Sequence, residues 1–413
     1  MFGRKTKQLE QQLAQVHAEL EQIQMNNFTL ESAEAFDLFT TGNLSTAGAH
    51  VTEKTAMCVG AVYASVRLIA GAIAGLPLPI YTDGGQGREK VNHDYAWLLN
   101  REPSPIWLAA SMWEWIIKSI LLHGDGFAVI VRRGPRVVEL LPLDPRWVFP
   151  EQRNGRLVYF VYPEGMEPFG VDQDDMLHFP GLGFDGVRSL SPIKYAAREA
   201  VGISIAQGEY SGRFFSNGAR HDFALQADSK LTDDTVRQLR ETWNKRHSGY
   251  SNAHLPAILP QGLDVKQLTM NAEDSQLLAS RQFQVIDIAR IFGVPPHMIG
   301  ETEKTSSWGT GIENMGIAFV IYTLKPHLTR IEQELNRKLF GRGSRFFAEF
   351  NVDGLMRGDS KAQAEYFTKA LGGSSGPGWM TANEVRRKQN LPPEENGNQL
   401  VTWSDKHASQ PEK

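Results

Sequence analysis

Three observations predict an α+β fold. Five strand-like runs, "GFAVIVRR", "VVELLPLD", "RWVFPEQ", "RLVYFVYP" and "DMLHFPG", follow one another through residues 126–181, with turn residues between them. Helical patterns flank this block instead of alternating with its strands, so an antiparallel meander is expected rather than βαβ units. A composition of 41% hydrophobic and 22% charged residues supplies a sizeable core for a chain of 413 residues and excludes global disorder. That length suggests about two or three domains or subdomains.

Taken in order, the chain opens on Leu9, Leu13, Val16, Leu20 and Ile23, a heptad seam. It lasts about two heptads, so a short coiled coil and a lone amphipathic or disordered leader both fit. Residues 26–54 form a Thr-, Gly- and Ala-rich connector. A helix is expected over 56–74, within the apolar stretch "AMCVGAVYASVRLIAGAIAGLPLPIY". Arg67 near its middle and Pro77 and Pro79 at its end make it a buried helix, not a membrane span. "LPLPIY" reads as a strand and "TDGGQGRE" as a glycine-rich hairpin. "SMWEWIIKSILLHG" places Trp113, Ile116, Ile117, Ile120 and Leu121 on one helix face that Gly124 ends.

After residue 190 the pattern turns helical. Ser191 caps a long helix and Pro192 occupies its first turn, where a missing N–H is harmless. A compact unit follows at 219–270, with strands near "DFALQ", "LPAILP" and "LDVKQL" and a helix "TDDTVRQLRETWNKRH". Residues 274–292 form another helix, and 312–340 one long helix with Pro326 inside it. An interior proline removes a hydrogen bond and kinks the helix. A strand, "SRFFAEFNVD", a helix at 360–371, the linker "GGSSGPG" and a short helix from "TANEVRRKQN" close the chain. Roughly the last fifteen residues read as disordered.

The totals exclude several functions. A net charge of −4 and a pI near 6.3 are no footprint for tight, sequence-independent grip on nucleic acid. One cysteine, Cys58, rules out an intramolecular disulfide and any cysteine-cluster metal site. The basic start turns polar and glutamine-rich, with no apolar core of a signal peptide.

Partial motifs fail on their chemistry. "GETEKTSS" resembles half a P-loop, but Glu303 stands where the glycine before the lysine should be, and Glu301 adds a second charge that repels phosphate. "GLGFDG" matches a dinucleotide fingerprint. Its helix begins at Ser191, five residues past the last glycine, too far for its N–H groups to face a pyrophosphate. His123 and Asp125 in "HGDG" have no third ligand at metal spacing. Asp174 and Asp175 read as a turn cap, His178 as a satisfied structural histidine, and Ser216 has no evident base. No hydrolase, metalloprotease or kinase signature is present. No catalytic residue, metal site or cofactor is predicted.

Many blocks in one order resemble the portal proteins of tailed bacteriophages. They include "VYASVRLIAGAIAGLPLPIY", "LLNREPSP", "LLHGDGFAVIVR", "VVELLPLDP", "LHFPGLGFDGVRSLSPI", "EYSGRFFSNGA", "FQVIDIARIFGVPPHMIG", "YTLKPHLTRIEQELNRKLF", "FNVDGLMRGD" and "GWMTANEVRRKQNLPP". The resemblance implies a ring of about twelve subunits at one capsid vertex, each with a wing, a helical stem, an α/β clip and a C-terminal crown. Carried onto this chain, residues 1–54 are a leader outside the resemblance. Residues 55–190 are the wing, 191–218 a stem helix, 219–270 the clip and 271–299 the second stem helix. Residues 300–311 are the tunnel loop, 312–350 the long kinked helix with a wing strand, and 351–413 the crown and tail.

The resemblance also implies roles. Glu301, Glu303, Lys304, Thr305, Ser306, Ser307 and Trp308 would line the narrowest part of the channel. A loop beside sliding DNA should be polar and should not grip, and one lysine offset by two glutamates fits that need. Trp308 could brush DNA or pack on a neighbouring subunit; packing is favoured because a large exposed aromatic is unfavourable without a partner. The charged clip helix, with Arg237, Arg240, Glu241, Lys245 and Arg246, would dock the packaging motor and later the adaptors, unless it is an ordinary solvated face. Implied partners are copies of the chain, double-stranded DNA without sequence specificity, the terminase large subunit, the major capsid protein and scaffold, and a head-completion adaptor. No membrane is implied. The place is the virion's portal vertex, after assembly in the host cytoplasm. Alternatives are a portal-derived part of a defective prophage or gene-transfer particle, or a packaging-associated DNA enzyme.

The glutamate in the P-loop position generates one prediction. Lys304→Ala will leave any background ATP hydrolysis by the purified protein unchanged; saturable turnover that disappears in the variant would overturn this.

Overall fold

In the computed structural model, residues 44–83, 88–216, 223–227, 232–238, 241, 263–267, 273–302, 310–352, 355, 360–372, 376–389 and 391–400 are described. The chain divides into two units, Met1–Ser306 with Ile321–Phe350, and Ser307–Val320 with Asn351–Lys413.

The first expected helix, 56–74, forms as α2 (Gly60–Ala74), and a separate short helix, α1 (Glu53–Ala56), precedes it. Thr52 and Thr55 close a capping box on α1, and Val59 takes an extended conformation that starts α2 afresh. α2 buries Val62, Ser65, Val66, Ile69, Ala70 and Ile73 and leaves Arg67 exposed, the pattern of a helix packed on one side. β1 (Ile80–Asp83) and β2 (Arg88–Val91) pair antiparallel, the tip of their hairpin lying outside the described residues. α3 (Tyr95–Asn100) leads to α4 (Ala109–His123), whose predicted apolar face is buried against α2. Gly124 ends α4 at φ 96°, and a Cβ there would sit 2.6 Å from the Leu190 carbonyl oxygen. Only glycine fits both conditions.

The expected meander is instead two three-stranded sheets. β3 (Asp125–Arg133), β4 (Arg136–Leu143), β5 (Val148–Arg153), β6 (Arg156–Val161), β7 (Phe169–Asp172) and β8 (Met176–Pro180) arrange as β4-β3-β8 and β5-β6-β7. β8 returns to pair with β3, at Asp125↔Pro180 through Val129↔Met176, rather than continuing beside β7. The reason is burial. Phe127, Val148, Tyr159, Val161, Val171 and Met176 from both sheets form one apolar cluster, which a single open sheet would leave half wet. Only β5-β6-β7 is a true meander.

A π-helical turn, Ile193–Ala197, opens the next helix, α5 (Arg198–Ser216). The Ser191 hydroxyl donates to the Leu122 carbonyl and accepts from the Lys194 N–H, so it both caps this turn and ties it to α4. β9 (Phe223–Ala227) and β10 (Leu263–Gln267) form a separate antiparallel pair. α6 (Glu273–Phe292) packs on α5. The long C-terminal helical stretch comprises α7 (Thr310–Ala318), a π segment Phe319–Leu324, α8 (Lys325–Leu335) and a second π segment Asn336–Phe340. β11 (Phe346–Ala348) then pairs with β1, completing a β11-β1-β2 sheet. In the second unit, α9 (Ser360–Ala370) precedes α10 (Ala382–Lys388). A Thr381/Glu384 capping box starts α10, and buried Asn383 holds Glu394 through both its amide atoms. Among the described residues, no helix is long and apolar enough to cross a membrane, and no cluster of His, Cys, Asp and Glu could hold a metal ion.

Polar groups lock the first unit internally. Asp125 on β3 and His178 on β8 are 0% and 3% exposed. His178 Nε2 lies 3.1 Å from an Asp125 carboxylate oxygen, and its Nδ1 lies 3.2 Å from the Tyr159 hydroxyl on β6. The His178 backbone N–H donates to Glu334 of α8 at 3.1 Å, and Arg337 donates to the same carboxylate. Burial alone would push the Asp125 carboxyl up; the hydrogen bond and charge of His178 and the Ser189 N–H outweigh it and hold the group below its ordinary value. The expected structural role of His178 is met.

A second anchor joins α1, α4 and the π turn. Glu53 faces His123 and Lys194, each at 3.5 Å. Burial would raise its carboxyl, but the hydrogen bond from His123, the backbone and the Lys194 charge bring it from 4.5 to about 2. A carboxyl with a depressed folded-state value adds stability that is fully present above pH 4.5 and lost as pH falls towards 2. Glu53→Gln will therefore unfold at lower denaturant than wild type at neutral pH, and the gap between their midpoints will close over that acid range. A gap independent of pH would refute the anchor.

Candidate functional site

The chemistry singled out in the sequence concentrates around the segment that follows α6. α6 stops at a Schellman motif. Gly293, at φ 68°, donates to the Arg290 carbonyl, and the Val294 N–H reaches back to Ala289 at 2.8 Å. Two prolines follow, which cannot continue the helix, and the single turn Pro296–Ile299 closes on Gly300 at φ 95°. The Glu301 N–H then donates to the Pro296 carbonyl at 3.0 Å. "GVPPHMIG" is thus two successive helix stops, and they fix where the loop begins.

The return is pinned at the same point. The Thr323 hydroxyl donates to the Gly293 carbonyl across thirty residues of chain. A Cβ on Gly293 would lie 3.0 Å from the Thr323 hydroxyl oxygen, so positive φ and close approach both demand glycine there. Gly293 and Thr323, both of the first unit, are therefore tied to each other. Of the predicted loop residues, Glu301 is half-buried beside this base; Glu303, Lys304, Thr305, Ser306, Ser307 and Trp308 lie outside the described residues.

Pro326 stands in the first turn of α8, directly after the π segment Phe319–Leu324. Proline cannot donate to the carbonyl four residues back, that of Tyr322, and a widened turn is one way a helix absorbs this loss. One residue on, burial and the Arg330 charge push His327 down to about 4, so it is neutral near pH 7.

The charged helix expected from Thr232 is described at residues 232–238 and 241, all exposed. Thr232 caps it, accepting the Thr235 N–H, and Arg237 faces Asp234 at 3.8 Å. Pairs this exposed contribute little to stability, so the charge is free for other use. Arg240, Lys245 and Arg246 lie outside the described residues.

The Asp125–His178 pair has the geometry of a catalytic dyad but not its access. Both groups are enclosed, and both ring nitrogens already have partners. In "GLGFDG", Asp185 accepts the backbone N–H groups of Val187 and Arg188, and the Gly181 N–H donates to the Gly124 carbonyl. The carboxylate is spent on its own turn, and the Gly181 N–H on the end of α4. Asp174 and Asp175 lie in the turn before β8, where Asp172 caps Asp174 and Arg156 and Arg132 pair with the two acids.

A family model for phage portal proteins matches residues 60–390. The chain is 34% identical over 377 residues to a probable portal protein of Streptomyces phage phiC31, covering 86% of this chain and 79% of that one. It is also 34% identical over 350 residues to the portal protein of Enterobacteria phage HK97, covering 83% and 81%. A solved structure, the neck of an empty gene transfer agent particle, shares the fold with a TM-score of 0.60 at 24% identity, covering 83% of this chain and 93% of its own.

The locked loop base predicts a stability effect that arises from backbone conformation rather than from lost apolar contacts. Gly293→Ala will lower stability by about 1–2 kcal/mol, the cost of a left-handed alanine. Thermal unfolding measures it, and an unchanged melting temperature would show that the base is not fixed as described.

Proposed function

This chain belongs to the phage portal protein family, and from that premise we propose that its copies close into a ring of about twelve around a channel for double-stranded DNA. The family is structural rather than enzymatic. The observation that supports the ring is apolar surface on the two helices read as the stem. Tyr195 and Tyr210 on the α5 stretch, and Leu278 and Phe283 on α6, are each more than half exposed. Neighbouring subunits would remove these side chains from water. The gene transfer agent neck that shares the fold was computed with sixfold symmetry, and a ring of about twelve accommodates a sixfold axis.

In this reading the loop 300–311 enters the channel, carried on the base at Gly293 and Thr323. Glu301, Glu303, Lys304, Thr305, Ser306 and Ser307 give the passing strand polar contact without net attraction, and Trp308 packs on the adjacent subunit. Pro326 sets a kink in the helix that returns from the loop. The clip, 219–270, presents Arg237, Arg240, Glu241, Lys245 and Arg246 to the terminase large subunit and afterwards to a head-completion adaptor. The wing meets the major capsid protein and scaffold, and the ring resides in the virion after assembly in the host cytoplasm. A gene-transfer particle or defective prophage would use the same device; the neck structure favours keeping that second reading, and the neighbouring genes separate the two.

Two experiments test the proposal. Electron microscopy of the purified protein will show rings of about a dozen subunits. Deleting residues 303–309 will leave those rings intact while impairing DNA packaging or retention. A monomer at high concentration would sink the ring, and normal packaging by the deletion would remove the loop from the channel.

Reversing Arg237, Arg240 and Lys245 to glutamate will weaken capture of the terminase large subunit and make it more salt-sensitive, with rings preserved. Equal capture by wild type and variant at two salt concentrations would show that this face does not recruit the motor.

A further inference from the structure

A cavity of about 1220 Å³ lies in the first unit between two sheet edges. Lys90 and Val91 of β2 line one side, and Arg136, Val137 and Val138 of β4 line the other, with α3 contributing Trp97 and Leu98. β2 and β4 are each the outermost strand of their sheet among the described residues. The two edges are not equally available. β4 shifts register opposite Val131/Arg132, and its Leu140 N–H is taken by the Pro103 carbonyl at 2.8 Å. A bulged, partly capped edge resists further pairing. β2 carries neither feature among the described residues, and its Lys90 and Val91 border the cavity.

The floor and rim differ in chemistry. Pro79, Ile80 and Val137 are buried beneath the cavity. Lys90, Arg101, Arg133 and Arg136 surround it, with Asp94 as the lone carboxylate in the lining. Asp94 pairs with Arg136 at 3.0 Å, and both are largely exposed, so that pair holds weakly. Among the described residues no carboxylate lies within ion-pair distance of Lys90, Arg101 or Arg133. In a chain of net charge −4, this is a local cationic excess set over an apolar floor and beside an open strand edge.

We propose that this groove binds an extended acidic peptide segment of a partner protein, added as a strand to β2. Its backbone bonds the open edge, its carboxylates meet Lys90, Arg101 and Arg133, and its alternate apolar side chains reach the floor. The cavity is larger than the usual ~300–1,000 Å³ of a small-molecule pocket. Duplex DNA presents its phosphates on a convex surface, cannot reach the floor, and offers nothing to a strand edge. The inference does not depend on the ring or the channel.

The test uses the full-length protein and a fluorescein-labelled peptide, Glu-Val-Asp-Leu-Glu-Val-Asp, followed by fluorescence anisotropy. Saturable binding is expected, weakened by about tenfold or more in the Arg101→Glu/Arg133→Glu double variant and by added salt. A peptide N-methylated at alternate residues keeps its charge but loses its edge hydrogen bonds, and it should fail to bind. Undiminished binding by the double variant, or by the methylated peptide, would overturn the proposal. So would stronger competition by a duplex oligonucleotide of equal charge, which would make this a phosphate site. Binding that emerges only when residues 1–43 are removed would assign the groove to the chain's own leader. Binding by isolated subunits but not by rings would assign it to a second copy.

Discussion

The first unit depends on a charged group that has no access to water. Asp125 can stay ionised at 0% exposure only because His178, Ser189 and Arg188 surround its two oxygens. Those partners come from β8 and from the segment that leads into α5. His178 in turn engages Tyr159 on β6 and Glu334 on α8. One carboxylate therefore requires both sheets and the long C-terminal helix to be in place together. Removing a partner leaves a buried charge or N–H unsatisfied, which is far worse than losing an ordinary contact. This constraint explains why β8 leaves the meander order: pairing with β3 puts His178 beside Asp125 and shuts the apolar cluster between the sheets.

The loop base rests on that same framework. α8 is fixed to the sheets through Glu334, and Thr323, just upstream of α8, is fixed to the end of α6 at Gly293. A loop carried between two such points can be polar and uncommitted along its length and still start and finish in a defined place. That division suits the role proposed for the loop, in which the framework must be rigid and the contact surface must not bind.

Charge is handled locally over much of the surface. Arg156 spans Asp172 and Asp174, Arg132 holds Asp175, and Arg88 meets Glu349. Such pairing leaves little positive field for a polyanion to follow, in keeping with the conduit proposed for this chain. The groove beside β2 departs from this pattern, which is why it reads as a place for a partner and not as part of the general surface.

The sequence by itself determined many of the features whose cause lies within a few residues. The apolar face of α4 and its stop at Gly124, the β3–β4 and β5–β6 hairpins and the cap at Ser191 all follow from short-range spacing and turn chemistry. The ordered blocks from "VYASVRLIAGAIAGLPLPIY" onward also made the portal family legible. β7 was missed because four residues containing Gly170 carry almost no periodicity. The fresh start at Val59 and the π turns before α5 and Pro326 were missed because they are local adjustments of helices whose apolar pattern runs on unbroken. Only the tertiary structure decided which sheet β8 joins, that Asp125 finds His178 fifty-three residues away, that Thr323 closes on Gly293, and that Lys90, Arg101, Arg133 and Arg136 share one groove. Each of these is a meeting of distant segments. It is chosen by how much apolar surface and how many buried polar groups the whole chain can satisfy at once, a condition that no short window of sequence contains.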